Sequence, residues 1–266
     1  MRRFSFWAIA STRFLSAAQK PLRIATALLL CLVLSGWSLP AFAASRISPR
    51  LEEQVLQILR EHPEAILESV QAYQQQQQQQ LSQAQQAFLQ QLKTNPQTVI
   101  GESATTGAPE SKVVLVEFSD FQCPYCAQAH KTLKQFVANH QDEVKLVFKH
   151  YPLAAIHAQA LPAAKAAWAA GKQGKFWEFH DELFTQQDKL GEELYVAIAQ
   201  NLTLDLEQFN SDRASDAANA AIGQDVQLAT ALGIEGTPFF VMNGEAFTGA
   251  IGLADMEKIL ARAEKS

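Results

Sequence analysis

The sequence predicts an α/β fold: a small mixed sheet laid down as strand, helix, strand and hairpin, interrupted by a helical block and preceded by a helical extension. Three observations predict it. A continuous apolar run, Val113 to Phe118, leads into a helix start at Pro124, the pattern of a buried strand followed by a crossover helix. Asn243-Gly244, between Pro238–Met242 and Glu245–Thr248, marks a two-residue hairpin. Between these landmarks, residues 157 to about 232 are alanine-rich and read as helix.

The chain opens with a leader. Residues 1–44 carry Arg2, Arg3, Arg13, Lys20 and Arg23 and no acid, then an uncharged run from Ile24 to Leu34, then Pro40 and the triplet Ala41-Phe42-Ala43. A basic region, a short apolar region and a small-residue site are the parts of a secretory signal peptide, expected to be cleaved after Ala43 or one residue later. The expected location is therefore periplasmic or otherwise extracytoplasmic, as a soluble chain. The uncharged stretch is also long enough for an uncleaved N-terminal membrane anchor, which is the rival reading. Arg2-Arg3 lies too far from the apolar run for a twin-arginine signal, and bulky Leu30 precedes Cys31 where a lipoprotein site needs a small residue.

Removing the leader takes five basic residues from the 22 Lys and Arg and leaves 17 against 27 acids, a net charge near −10. No basic face for nucleic acid is in prospect. The leader also holds Cys31, so of 3 cysteines only Cys123 and Cys126 belong to the exported chain. Two cysteines so close together cannot staple a scaffold, and export puts them where oxidised thiols persist. They read as an active dithiol.

Residues 45–96 form a helical N-terminal extension. Ser48-Pro49 supplies an N-cap and a first-turn proline, and Leu51, Val55 and Ile58 follow at helical spacing. Pro63 marks a second start, with Ile66, Leu67, Val70 and Tyr73 on one face, then Gln74 to Gln80, then Leu81, Ala84, Phe88 and Leu92, and Asn95-Pro96 as the stop. Such a stripe must pack on something. Both the chain's own catalytic domain and other copies, through residues 45–94, satisfy it. The glutamines read as a solvated helical face.

Residues 97–266 form the catalytic domain. Residues 97–112 read as a linker with a short edge strand at Val99-Ile100; Val113 to Phe118 as a buried strand; Pro124 to about Ala138 as a helix; Val144 to Lys149 as a second strand. The helical insertion, about 157–232, should break near Gly171, Gly174, Gly191 and Asn210. Leu253, Met256, Ile259 and Leu260 close the chain as a helix.

Cys123 and Cys126 sit where a strand ends and a helix begins. A cysteine at the N-cap faces the free amides of the first turn and the positive end of the helix dipole. Both favour thiolate, so Cys123 is the expected nucleophile, and Cys126, one turn in, the resolving thiol. Pro124 at the first helical position forfeits no hydrogen bond. The competing reading is half of a copper or zinc site, Cys123-x2-Cys126-x3-His130, which lacks a fourth ligand; no cofactor and no metal are expected. Thr237-Pro238, after Gly236, is a candidate cis peptide facing the dithiol, an ordinary strand-opening proline being the alternative. His62, His140, His150, His157 and His180 show no triad or metal spacing and read as structural or solvated, and Trp168 and Trp177 as core.

The segment EFSDFQCPYC, the later GTPFFVMNG and the helical block between them resemble the DsbA-like branch of the thioredoxin superfamily, over roughly residues 97–264. The resemblance implies a thioredoxin fold with an inserted helical domain and a protein-disulfide oxidoreductase with Cys123 and Cys126 as its catalytic pair. It places Thr237 and Pro238 at the cis-proline site, Glu117 at a buried acid that relays protons, and Lys149 as the charge partner of that acid. Read from the residues alone, Glu117 is a strand-edge carboxylate and Lys149 a solvated charge. The implied partners are client proteins with thiols or disulfides and a membrane quinone-linked redox partner. EEQVLQILREHPEAILESVQ resembles the oligomerising arm of DsbA-like isomerases of the copper-tolerance type. Pro124-Tyr125 replaces the proline–histidine of the strongest oxidants, and a threonine before the proline looks like members that isomerise or reduce. Oxidase, isomerase or reductase therefore all remain as expectations.

Overall fold

A computed structural model describes residues 48–263. The expected signal peptide, with Cys31, lies outside the described residues. Helix α1 spans Pro49–Glu61; the Ser48 side chain accepts the Leu51 amide and Pro49 occupies the first turn. His62 closes it by donating its backbone N–H to the Ile58 carbonyl, and Pro63 opens α2, Pro63–Thr94. Gln74 to Gln80 lie inside α2, since glutamine is a good helix former and an uninterrupted run gives no reason to stop.

The later part of α2 is docked. Phe88 and Leu92 are buried in one cluster with Val114, Val116, Phe118, Val147 and Val241, and the Gln85 side chain donates to the Leu232 carbonyl at 3.0 Å. Gly233 has φ +70°, and a Cβ there would meet Leu81 Cδ1 at 2.9 Å, so glycine both turns the chain and leaves room for the helix. Val99-Ile100 form no strand. Pro96 starts a single helical turn, α3, Pro96–Ile100, closed by Gly101 at φ 56°; a proline at the first position favours a turn over an edge strand. The edge strand is instead β1, Thr105–Gly107.

The sheet has 5 strands in the order β1-β3-β2-β4-β5, with β2 Val113–Ser119, β3 Val144–His150, β4 Phe239–Met242 and β5 Glu245–Thr248. β2 and β3 are parallel and joined through α4, Pro124–Asn139; the other pairings are antiparallel. Gly107 closes β1, where a Cβ would lie 2.2 Å from the Val144 carbonyl oxygen. Asn243 and Gly244 both have positive φ, as the tight hairpin demands. The Asn243 side chain also accepts the Val114 amide and donates to the Lys112 carbonyl, each at 3.0 Å. The hairpin tip is thereby tied to the start of β2.

The helical block comprises α5 Ala160–Lys172, α6 Phe176–Thr185, α7 Glu192–Asn201, α8 Leu206–Ala214 and α9 Asp216–Ala231. The expected break at Asn210 does not occur. α8 runs through it and stops at Ser215, whose side chain caps α9 by accepting the Ala218 amide; another break falls at Leu202–Asp205, where Asp205 caps α8. Asparagine tolerates a helix interior, whereas a serine or aspartate that can accept a first-turn amide sets a helix start. Trp168 and Trp177 are half-buried rather than core, Trp177 donating its indole N–H to the Thr105 carbonyl. α10, Leu253–Ala263, buries Met256, Ile259 and Leu260 as its spacing predicts.

Candidate active site

β2 delivers the chain to the mouth of α4, and Cys123 takes the N-cap with extended backbone angles, φ −73° and ψ 122°. Its carbonyl accepts the Cys126 and Ala127 amides at 3.1 and 3.2 Å. Its own side chain caps nothing, which leaves the sulfur to face the helix terminus. The Thr237–Pro238 peptide is cis, as expected, and Cys123 Sγ lies 3.3 Å from the Thr237 carbonyl oxygen, to which it donates when protonated. Both cysteines are free thiols. Cys126 is fully buried, and Tyr125 between them is 62% exposed.

The two sulfurs differ sharply in acidity. Cys123 falls from 9.0 to about 5, chiefly because the Cys126 thiol donates to it, helped by Thr237 and the Cys126 and Tyr125 backbone amides and opposed by burial. Cys126 is pushed far up, first by burial, then by its bond to Cys123 and by the charge of Glu117. One sulfur is thus an anion at neutral pH and its neighbour a firmly held thiol, the asymmetry expected from their places on the helix.

Glu117 is buried, and neither carboxylate oxygen has a hydrogen-bond partner. Burial raises it from 4.5 to about 7, with Ser119 pulling weakly the other way. Lys149 is not its charge partner. The parallel register sets Glu117 opposite Phe148 and Phe118 opposite Lys149, so the two ionisable groups lie on opposite faces of the sheet. Lys149 Nζ pairs with Asp225 Oδ1 of α9 at 3.1 Å and donates to the Ile100 carbonyl at 3.3 Å. Asp225 Oδ2 accepts the His150 amide. The lysine is therefore neither solvated nor at the thiols. It is a buried charge holding α9 and the end of α3 to the sheet.

Residues that sequence reasoning passed over hold the loop before Cys123. Asp120, fully buried, accepts the Gln122 amide at 2.8 Å, the Leu153 amide at 3.0 Å and His157 Nδ1 at 2.7 Å. Gln187 donates to the Phe121 and Cys123 carbonyls at 2.8 and 2.9 Å. An aspartate two residues before the amide it accepts is an Asx-turn, a signal the sequence did carry. Gln187 and His157, distant in the chain, gave none. Among the described residues Cys123, Cys126 and His130 do not gather as a metal set; His130 groups instead with His180 and Asp181.

Comparison with known proteins adds descent to this geometry. A family model described as thioredoxin matches residues 98–262. The solved structure of a thioredoxin-like oxidoreductase from Silicibacter pomeroyi DSS-3 is 32% identical, with a TM-score of 0.60, over 65% of this chain and 99% of that one. The thiol-disulfide exchange protein alpha-DsbA2 from Wolbachia pipientis, 24% identical, TM-score 0.59, aligns over 67% and 96%. The catalytic domain of Proteus mirabilis ScsC, 22% identical, TM-score 0.58, aligns over 67% and 99%. These last two share the fold. Among curated proteins, 143 residues are 39% identical to a Na(+)/H(+) antiporter NhaA 3 from Salinispora tropica, covering 54% of this chain and 22% of the antiporter. The chain thus spans about a fifth of the length of such relatives.

Proposed function

We propose, from the premise that the chain belongs to the thioredoxin family and is DsbA-like, that it is an exported protein-disulfide oxidoreductase working through the Cys123–Cys126 pair. The observation that carries this reading is the geometry of the pair: Cys123 at the N-cap of α4, 3.3 Å from the carbonyl of the cis Thr237–Pro238 peptide, with Cys126 fully buried one turn further in.

The chemistry runs as two exchanges. In the oxidised enzyme a client thiolate attacks Cys123 Sγ; the Cys123–Cys126 bond breaks, and Cys126 leaves as a thiolate that takes a proton. Glu117, near 7, is a carboxyl able to give that proton and to take it back when Cys126 must attack in the reverse direction. A second client thiolate then attacks the client sulfur of the mixed disulfide, and Cys123 departs as the stable anion. The client gains a disulfide, the enzyme gains two electrons, and a membrane quinone-linked partner removes them. Stabilising the Cys123 thiolate stabilises the reduced enzyme and makes the oxidised one more oxidising.

A second reading, an oligomeric isomerase or reductase, is favoured by one observation. Leu51, Val55, Ile58, Ile66, Leu67 and Tyr73 are exposed large hydrophobics, and such a stripe on an exported chain invites self-association. Among the described residues no helix is long and apolar enough to cross a membrane. Cys126→Ala should accumulate mixed disulfides with cell-envelope proteins; absence of such adducts overturns the enzyme reading. Refolding of a scrambled disulfide substrate separates isomerase from oxidase. Light scattering on the full chain, against a chain lacking residues 48–69, tests assembly.

A further inference from the structure

Two imidazoles and a carboxylate meet between α4 and α6, one helical turn beyond Cys126, and the redox chemistry uses none of them. The candidate ligand atoms of His130, His180 and Asp181 all lie within 4.8 Å of one another. His180 Nδ1 is 3.1 Å and His130 Nε2 3.6 Å from the same oxygen, Asp181 Oδ1. A tetrahedral ion with bonds of 2.0–2.1 Å sets its ligands about 3.3 Å apart, a separation that these two distances bracket.

The ligands are also held in place. The His130 ring stacks on Phe184, centroids 5.1 Å apart. His180 is buried among Phe121, Phe148, Phe176 and Trp177, and its Nε2 has no hydrogen-bond partner. Lys134 Nζ takes the other Asp181 oxygen at 2.5 Å, leaving Oδ1 turned to the imidazoles, as outer partners commonly orient a ligating carboxylate. Asp181 is part-exposed, 32% at its side chain, so an ion has a way in.

We propose that His130, His180 and Asp181 bind one late first-row divalent ion of the zinc or copper(II) class, with a fourth position open to water. Nitrogen donors in this number select such ions over calcium and magnesium. The site contains no sulfur and is separate from the Cys123–Cys126 pair. A bound ion would cross-link α4, which carries both thiols, to the helical block.

The test uses the full exported chain, untagged, with Cys123→Ser and Cys126→Ser to silence the dithiol. Zinc titration in the presence of a weak chelator should give one equivalent per chain. Cobalt(II) should give the intense visible bands of a tetrahedral site. Asp181→Asn and His130→Gln should each weaken zinc binding on the order of 100-fold and abolish those bands, with circular dichroism reporting the fold. Asp181→Asn is part-exposed and nearly isosteric, so it decides the matter should His130→Gln not fold. Failure of the cysteine-free chain to bind zinc, or unchanged affinity in Asp181→Asn, overturns the proposal.

Discussion

Replacing Glu117 by glutamine isolates the buried carboxyl from everything else in the site. An ordinary glutamate titrates near 4.5 and Glu117 near 7. Between those values the folded chain keeps a proton that the unfolded chain has released, so stability falls as pH rises through the window and levels off above it. At about 1.4 kcal/mol per pH unit, the gap amounts to about 3 kcal/mol. The amide of Glu117→Gln is neutral throughout and escapes that loss. The quantity to measure is the variant's unfolding free energy minus the parent's, by denaturant titration of the reduced proteins followed by circular dichroism. Cys123 titrates in both chains, so its contribution cancels in the difference. From about pH 4 to about pH 8 the difference should rise in the variant's favour by about 3 kcal/mol. A difference constant within about 0.5 kcal/mol would refute the claim that an unpartnered carboxyl is held protonated by burial.

Three other outcomes follow from the same geometry. Lys149→Met should cost about 3–5 kcal/mol by stranding the buried Asp225 charge, most of it recovered in Lys149→Met/Asp225→Leu, while thiol reactivity stays near that of the parent, as denaturation and alkylation kinetics will show. Asp120→Ala leaves buried donors without an acceptor and should lower stability by about 3 kcal/mol; a thermal midpoint unchanged from the parent would contradict its role. Iodoacetamide should alkylate Cys123 at a rate that rises with pH to a midpoint near 5, and Thr237→Val should move that midpoint upward.

The dithiol, the cis proline and the hairpin were legible because each rests on local chemistry. A cysteine ahead of a proline-opened helix, a Gly-Thr-Pro before a strand and an Asn-Gly pair declare themselves within a few residues. What was not legible depends on register and packing. Nothing in the spacing of Glu117 and Lys149 says that β2 and β3 pair 117 with 148, yet that one-residue offset separates the two charges across the sheet. His130, His180 and Asp181 meet only because α6 packs on α4, and Gln187 reaches the Cys123 carbonyl from 64 residues away in sequence. Val99-Ile100 misled for a different reason: β-branched pairs favour strands, but a proline three residues upstream outweighed them.

The alternation of β2 has a further effect. Leu115 packs with Leu133 of α4, whereas Val114, Val116 and Phe118 pack with Phe88 and Leu92. A single seven-residue strand thus works as a partition wall between two rooms, one packed against the helix that carries the sulfurs and the other the anchorage of the long N-terminal helix. Odd and even positions can drift under separate selection, and a lineage could retune its electron chemistry on one side without loosening the attachment on the other.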